Sequence, residues 1–238
     1  MYKRILMAAV LTACVINCHA QTDTIKTKMF NHYVGVQINE LLKQIINLNS
    51  EAEAINNPYL VTYSLHLAKS GWGINTGIGY DYKKIIEDGA GDIETTFSDL
   101  SFRVGLGRQV MLGKKFEAGY AFEYVFRSQV NETFSSLVTD FGAFTDSTAT
   151  TVTHKIIDNG LGGQVNLAFH ITNKILVGTE ATGYYIKSKD KETTEVSTLH
   201  SNNSFPSNTL TTETTKAETV TDTFTFTIPV AIFLIIKF

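Results

Sequence analysis

The segment from Val220 to Phe238 reads VTDTFTFTIPVAIFLIIKF, and its reading decides the fold. Taken two residues at a time, it separates into two faces. Phe224, Phe226, Ile228, Val230, Ile232, Leu234, Ile236 and Phe238 fall on one face and are all large and apolar. Thr223, Thr225, Thr227, Pro229, Ala231, Phe233, Ile235 and Lys237 fall on the other, which is mixed. A period of two is the signature of a strand, because successive side chains leave a β-strand on opposite sides.

The same rhythm runs upstream. Leu100, Phe102, Val104 and Leu106 alternate with Ser101, Arg103, Gly105 and Gly107. Phe116 to Phe126 place aromatic and small residues at even positions against Glu117, Gly119, Ala121, Glu123 and Val125. Comparable alternation marks eight strands, at 33–47, 58–68, 71–83, 97–110, 115–128, 156–171, 174–187 and 220–238. The connections alternate too. Residues 69–70, 111–114 and 172–173 are short turns, while 48–57, 84–96, 129–155 and 188–219 are long and polar. Short turns at one end and long loops at the other predict an all-β fold, an eight-stranded antiparallel up-and-down transmembrane β-barrel.

Composition agrees. The chain has 238 residues, of which 43% are hydrophobic and only 18% charged, with a formal net charge of −3. Charged residues fall below the roughly 25% of an ordinary soluble domain. No stretch of 18 apolar residues occurs, so a spanning helix is excluded. The charge is too low and of the wrong sign for nucleic acid. Residues 1–20, MYKRILMAAVLTACVINCHA, carry Lys3 and Arg4, then an apolar core, then Cys18-His19-Ala20, and read as a signal peptide. The barrel domain is then 21–238, with a charge of −5 once Lys3 and Arg4 are gone. Both cysteines, Cys14 and Cys18, lie in that leader, so the mature chain carries no thiol chemistry. The alternative is a lipobox over Leu11-Thr12-Ala13-Cys14, with Cys14 lipidated.

The polarity of the faces separates a membrane barrel from a soluble one. A soluble barrel fills its inside with apolar residues. Burying Arg103, Glu117, Glu123 and Glu180 in an oily core is costly, whereas inside a lipid-facing barrel they pair or hydrate. Aromatics gather near strand ends: Tyr59, Tyr63, Tyr80, Tyr82, Tyr124, Phe126 and Tyr185 toward the long loops, and Trp72, Phe116, Phe169 and Phe238 toward the short turns. Two interfacial belts are expected.

With its leader ending Ala20-Gln21, its eight alternating segments and a last strand ending in Phe238, the whole mature chain resembles the small outer-membrane β-barrels of the OmpA/OmpX type, in a form typical of Bacteroidetes. The resemblance implies an assembly signal at Leu234, Ile236 and Phe238, read by the barrel-assembly machinery, with Ile236 where many such signals carry an aromatic. It also implies an outer-membrane location with long loops outside and both termini periplasmic. No peptidoglycan-binding domain follows the barrel, so a cell-wall anchor of the OmpA kind is not expected.

Eight strands enclose only enough room for side chains, so an open diffusion pore is not expected. Gln37, His66, Gln164 and His170 are expected inside, with a lumen charge network of Asp81, Arg103, Glu117, Glu123, Arg127 and Glu180. A proton path or narrow gate is the sharper alternative. Ser64 and His66 share a face and invite a nucleophile–base reading, but no Gly-x-Ser-x-Gly or His-Glu metal spacing supports one. No cofactor, metal or catalytic residue is expected. The glycines at 77, 79, 105 and 107 relieve crowding in a narrow barrel. The Thr- and Ser-rich segments 129–155 and 188–219 read as mobile surface loops. In the first, Asp146-Ser147-Thr148 resembles a Bacteroidetes O-glycosylation site, and Phe134, Leu137, Phe141 and Phe144 are expected to pack on the barrel mouth. The functional expectation is a monomeric structural or surface-interaction barrel in contact with outer-membrane lipid, acting through its long loops on an extracellular or envelope protein. The alternatives are a lipid- or glycan-modifying enzyme and a narrow channel or accessory subunit of an envelope complex.

Overall fold

A computed structural model of the chain describes residues 28–38, 59–87, 93–141, 144–202, 208–227 and 231–238. The expected leader, Cys14 and Cys18, and the continuation of the first strand to residue 47 lie outside them. The described residues form nine antiparallel strands: β1 Phe30–Gln37, β2 Val61–Leu67, β3 Trp72–Glu87, β4 Ile93–Leu112, β5 Phe116–Asp140, β6 Phe144–His170, β7 Ile175–Asn202, β8 Asn208–Thr227 and β9 Ile232–Lys237. Each pairs with its sequence neighbour from β1 to β8, β9 pairs with both β7 and β1, and the sheet closes on itself as a ring. Reciprocal bonds between His32 and Phe238 (3.1 and 3.0 Å) finish the seam.

Eight staves make the ring, as expected, because β8 and β9 divide the last one between them. On β7 two residues separate Thr179 from Thr182, while on the facing strand four residues separate their partners Ile232 and Thr227. That two-residue excess preserves the alternation, since an even insertion returns each side chain to its own face. Residues 228–230, Pro229 among them, lie outside the described residues.

The two faces of the ring differ as the alternation predicts. Outside, Phe122, Leu106 and Val165 are 63%, 66% and 61% exposed; inside, Glu123, Arg103 and Glu180 are buried. The outward face of β7 from Ile175 to Tyr185 carries no charge and is apolar apart from Thr179. Ten residue steps on a strand tilted by about 40° rise about 25 Å, the height of a lipid-facing band. Tyr63, Tyr80, Tyr82, Tyr124 and Tyr185 are exposed toward one end of the band, Trp72, Phe116, Phe169 and Phe238 toward the other. Tyr59 departs from expectation: it turns inward and is buried.

The described parts of 129–155 and 188–219, expected to be loops, are almost wholly strand, whereas 48–57 lies outside the described residues. β5 and β6 keep one register from Phe116 opposite Phe169 to Asp140 opposite Thr145. β7 and β8 keep theirs from Thr182 opposite Thr227 to Ser201 opposite Asn208. β5 to β8 therefore continue past the ring as a sheet, flanked on β5 by the end of the β3–β4 pair as far as Ile93 opposite Ser135; from Ile157 to Phe144 β6 alone extends about 45 Å. Threonine and valine supply the β propensity, and polar residues on both faces hide the alternation that marks the ring. Glu218 on β8 accepts hydrogen bonds from Lys189 and Lys191 of β7, which hold its carboxyl below the usual range. The aromatics of this region do not reach the barrel mouth. Phe134, Leu137 and Phe141 are exposed, and Phe141 stacks on Phe144 at 4.8 Å at the tip of the β5–β6 hairpin.

Two of the short turns place glycine where φ is +74°, at Gly71 and Gly113, a conformation other residues rarely adopt. Gly77 serves differently, since a Cβ there would lie 2.7 Å from Arg103 Nε. Replacing Gly77 by Val is expected to destabilise the barrel by about 1–3 kcal/mol through overpacking. The readout is a lower midpoint for loss of the compact, unheated gel species, and an unchanged midpoint would show that the lumen has slack at this level.

Candidate functional site

The inward residues of the ring meet in three tiers. In the tier nearest the short turns, Tyr33 on β1 donates its hydroxyl hydrogen to Glu117 Oε1 on β5 at 2.7 Å. β1 and β5 lie four staves apart in either direction around the ring, so this bond crosses the full lumen. His170 Nε2 lies 3.0 Å and Lys237 Nζ 3.6 Å from Glu117 Oε2, and the Lys237 ammonium sits 4.9 Å from the centre of the Tyr33 ring.

The middle tier is centred on Arg103, buried on β4. Its Nη1 and Nη2 donate to the two oxygens of Glu180 on β7 at 2.9 and 2.7 Å, the bidentate geometry that suits a guanidinium and a carboxylate. Glu123 Oε2 on β5 lies 3.8 Å from Nη1 and accepts from the Tyr184 hydroxyl at 2.6 Å. Gln164 on β6 donates to Glu180 as well. The ring of Tyr59 covers the guanidinium at 4.3 Å and packs with Val125 and Tyr184. One cation thus faces two buried carboxylates, each of which also accepts a neutral donor.

In the tier toward the hairpins, Arg127 Nε and Nη2 donate to Asp99 at 3.0 and 2.6 Å, and Gln129 and Ser101 donate to the same carboxylate at 3.2 and 3.3 Å. Of the residues expected in the lumen network, Arg103, Glu117, Glu123, Arg127 and Glu180 point inward and meet these partners. Asp81 does not belong with them: it is exposed, its Oδ1 accepts from the Tyr82 backbone N–H at 2.9 Å, and the carboxylate that Arg127 holds is that of Asp99, directly opposite on β4. Sequence reading missed Asp99, Tyr33, Tyr59, Tyr184 and Lys237. The signal for Asp99 was present, because it shares the parity of Ser101 and Arg103.

His66 is buried, with Nδ1 at 2.8 Å from the Gly71 carbonyl and Nε2 at 2.9 Å from Oδ1 of Asn75. Both ring nitrogens are thus engaged away from Ser64, and a nucleophile–base pair needs one of them at the hydroxyl. No group of three or more metal-ligating side chains occurs among the described residues. Leu234 and Ile236 lie on the outer face of the seam, opposite Val36 and Val34 of β1, and Phe238 is exposed beyond them.

Replacing Arg103 by Met leaves Glu180 and Glu123 buried without their cation and is expected to cost about 3–5 kcal/mol. The double variant Arg103→Met with Glu180→Met should recover much of that loss. Thermal midpoints in detergent, read from heat-modifiable gel migration, check both, and an unchanged midpoint for the single variant would show that the ion pair does not hold the lumen.

No family model and no curated protein sequence matches the chain. Among solved structures, a major outer membrane protein from Thermus thermophilus aligns over 88% of this chain and 98% of its own, with 12% identity and a TM-score of 0.37. LpxR from Salmonella typhimurium aligns over 88% of this chain and 99% of its own, with 9% identity and a TM-score of 0.21. Neither likeness is large enough to carry a residue role across, so the geometry of the ring stands on its own.

Proposed function

We propose that the chain is a monomeric outer-membrane β-barrel with a closed lumen, whose β5–β8 sheet stands outside the cell as a contact surface for another envelope or extracellular protein. The observation that carries this reading is the inverted polarity of the ring: apolar side chains over a band about 25 Å high face outward, and paired charges fill the interior. A soluble barrel has the opposite arrangement. Among the described residues β1 to β7 and β9 are each paired on both sides, the closure within one chain that a bilayer requires of a wall. The Tyr33–Glu117 bond across the full lumen and the Arg103 cluster above it support a barrel without a diffusion path.

In this reading residues 1–20 direct export, the short turns and both termini face the periplasm, and the hairpins face outward. Leu234, Ile236 and Phe238, apolar and outward on the closing strand, are what the barrel-assembly machinery would read. The sheet beyond the ring is the contact surface because it is regular, long and two-sided, and its tip carries the stacked Phe141 and Phe144 with His200 against Phe144 at 4.8 Å.

Protein refolded into phosphatidylcholine vesicles is expected to run as a compact species unheated and at full mass after boiling. Trypsin should trim the hairpins, at Lys187, Lys189 and Lys191 among other sites, and spare the ring. Planar bilayers should show no unitary conductance steps. Recovery of folded protein in solution away from vesicles overturns the membrane reading, and reproducible conductance steps overturn the closed lumen.

A further inference from the structure

The rim at the short turns has a charge pattern that neither the lumen nor the contact sheet uses. Lys28, Lys69, Arg108, Lys114, Lys115 and Lys174 are exposed there. Lys237 is half-buried beside them, engaged with Glu117, which is the only acidic side chain among the described residues of this rim. Carboxylates such as Glu132, Asp140, Asp146, Asp190, Glu192 and Glu195 lie instead toward the hairpins.

The cations share one level. Backbone bonds join the staves around this edge: Ala68 to Met29 at 3.0 Å, Gln109 to Gly71 at 2.9 Å, His170 to Lys115 at 2.8 Å and Lys237 to Lys174 at 2.8 Å. That level borders the apolar band. Arg108 lies opposite Trp72 in the β3–β4 ladder, Lys115 precedes Phe116 and reaches over Phe169 at 5.8 Å, and Lys174 precedes Ile175. Each aliphatic stem can lie along the band while its charged head reaches the water, the arrangement of interfacial lysine and arginine.

We propose that this rim is a collar that binds the phosphate headgroups of anionic phospholipids in the adjacent leaflet. The inference rests on the membrane reading above. It favours phospholipid over an acidic cell-wall polymer because the cations border the lipid-facing band directly and are not carried on a projecting segment. A ring of six exposed like charges is self-repelling, and a neighbouring anionic surface relieves that repulsion.

The test uses nanodiscs of phosphatidylcholine mixed with phosphatidylglycerol, with retained lipids weighed by native mass spectrometry. The wild-type protein should retain phosphatidylglycerol in preference to phosphatidylcholine, and raised salt should weaken the preference. The variant carrying Lys69→Gln, Lys114→Gln, Lys115→Gln and Lys174→Gln should fold equally well by heat-modifiable migration. Its retained ratio of phosphatidylglycerol to phosphatidylcholine should fall by at least about three-fold. Equal ratios for the two proteins, or no preference in the wild type, overturn the collar while leaving the membrane reading intact. Binding of the wild type but not the variant to purified peptidoglycan, with unchanged lipid ratios, also overturns it and gives the rim a cell-wall role. Failure of both proteins to enter any bilayer overturns the membrane reading and the collar with it.

Discussion

The guanidinium of Arg103 faces two carboxylates buried inside the ring, and the middle of the barrel is arranged around it. Glu180 takes both terminal nitrogens, Glu123 stands within 3.8 Å, and Tyr184 and Gln164 each donate to one of the two carboxylates. These partners come from β5, β6 and β7 and Arg103 from β4, so the cluster ties four staves. Its own requirements shape its neighbours. Gly77 has no side chain because Arg103 occupies the space, and Tyr59 is drawn inward to cover the guanidinium face. Buried ion pairs give little net stability compared with a well-packed apolar core, but losing one partner is costly. The cluster thus acts more to fix which side chains share the lumen than to add stability.

The ring itself was legible in the residues because its two faces differ so sharply. Phe122 beside Glu123, or Phe102 beside Arg103, leaves no doubt about parity. Parity alone also assigns Arg103, Glu117, Glu123 and Glu180 to the inside. It does not say at what height a residue sits, which is why Asp81 and Asp99, directly opposite each other and both of inward parity, could not be told apart by pattern: one is exposed and the other holds Arg127. Tyr59 was misread because it precedes its strand, where alternation gives no direction. The division of the last stave was invisible because an insertion of two leaves the alternation unbroken.

The extension of β5 to β8 was hidden for a different reason. Along β8, Thr209, Thr211, Thr215, Thr219 and Thr221 take one face and Thr212 and Thr214 the other, so no contrast of polarity marks the strand. What makes it a strand is its partner: every residue from Asn208 to Thr227 is matched on β7, in a register set within the ring and carried outward. The contact surface is therefore a continuation of the barrel wall, not a set of independent loops, and it inherits the wall's alignment.

The seam between β1 and β9 has a kinetic meaning. Most pairings in the molecule join strands adjacent in sequence and can form as local hairpins, but Tyr33 opposite Lys237 joins positions about 200 residues apart. That one non-local pairing, between β1 and β9, closes the longest stretch of chain in the wall and carries the largest loop-closure cost. Closure also brings Lys237 to Glu117 and Tyr33. The pairing that seals the wall thus also places the charge that completes the polar tier nearest the seam, so sealing the wall and filling the lumen at that level are coupled.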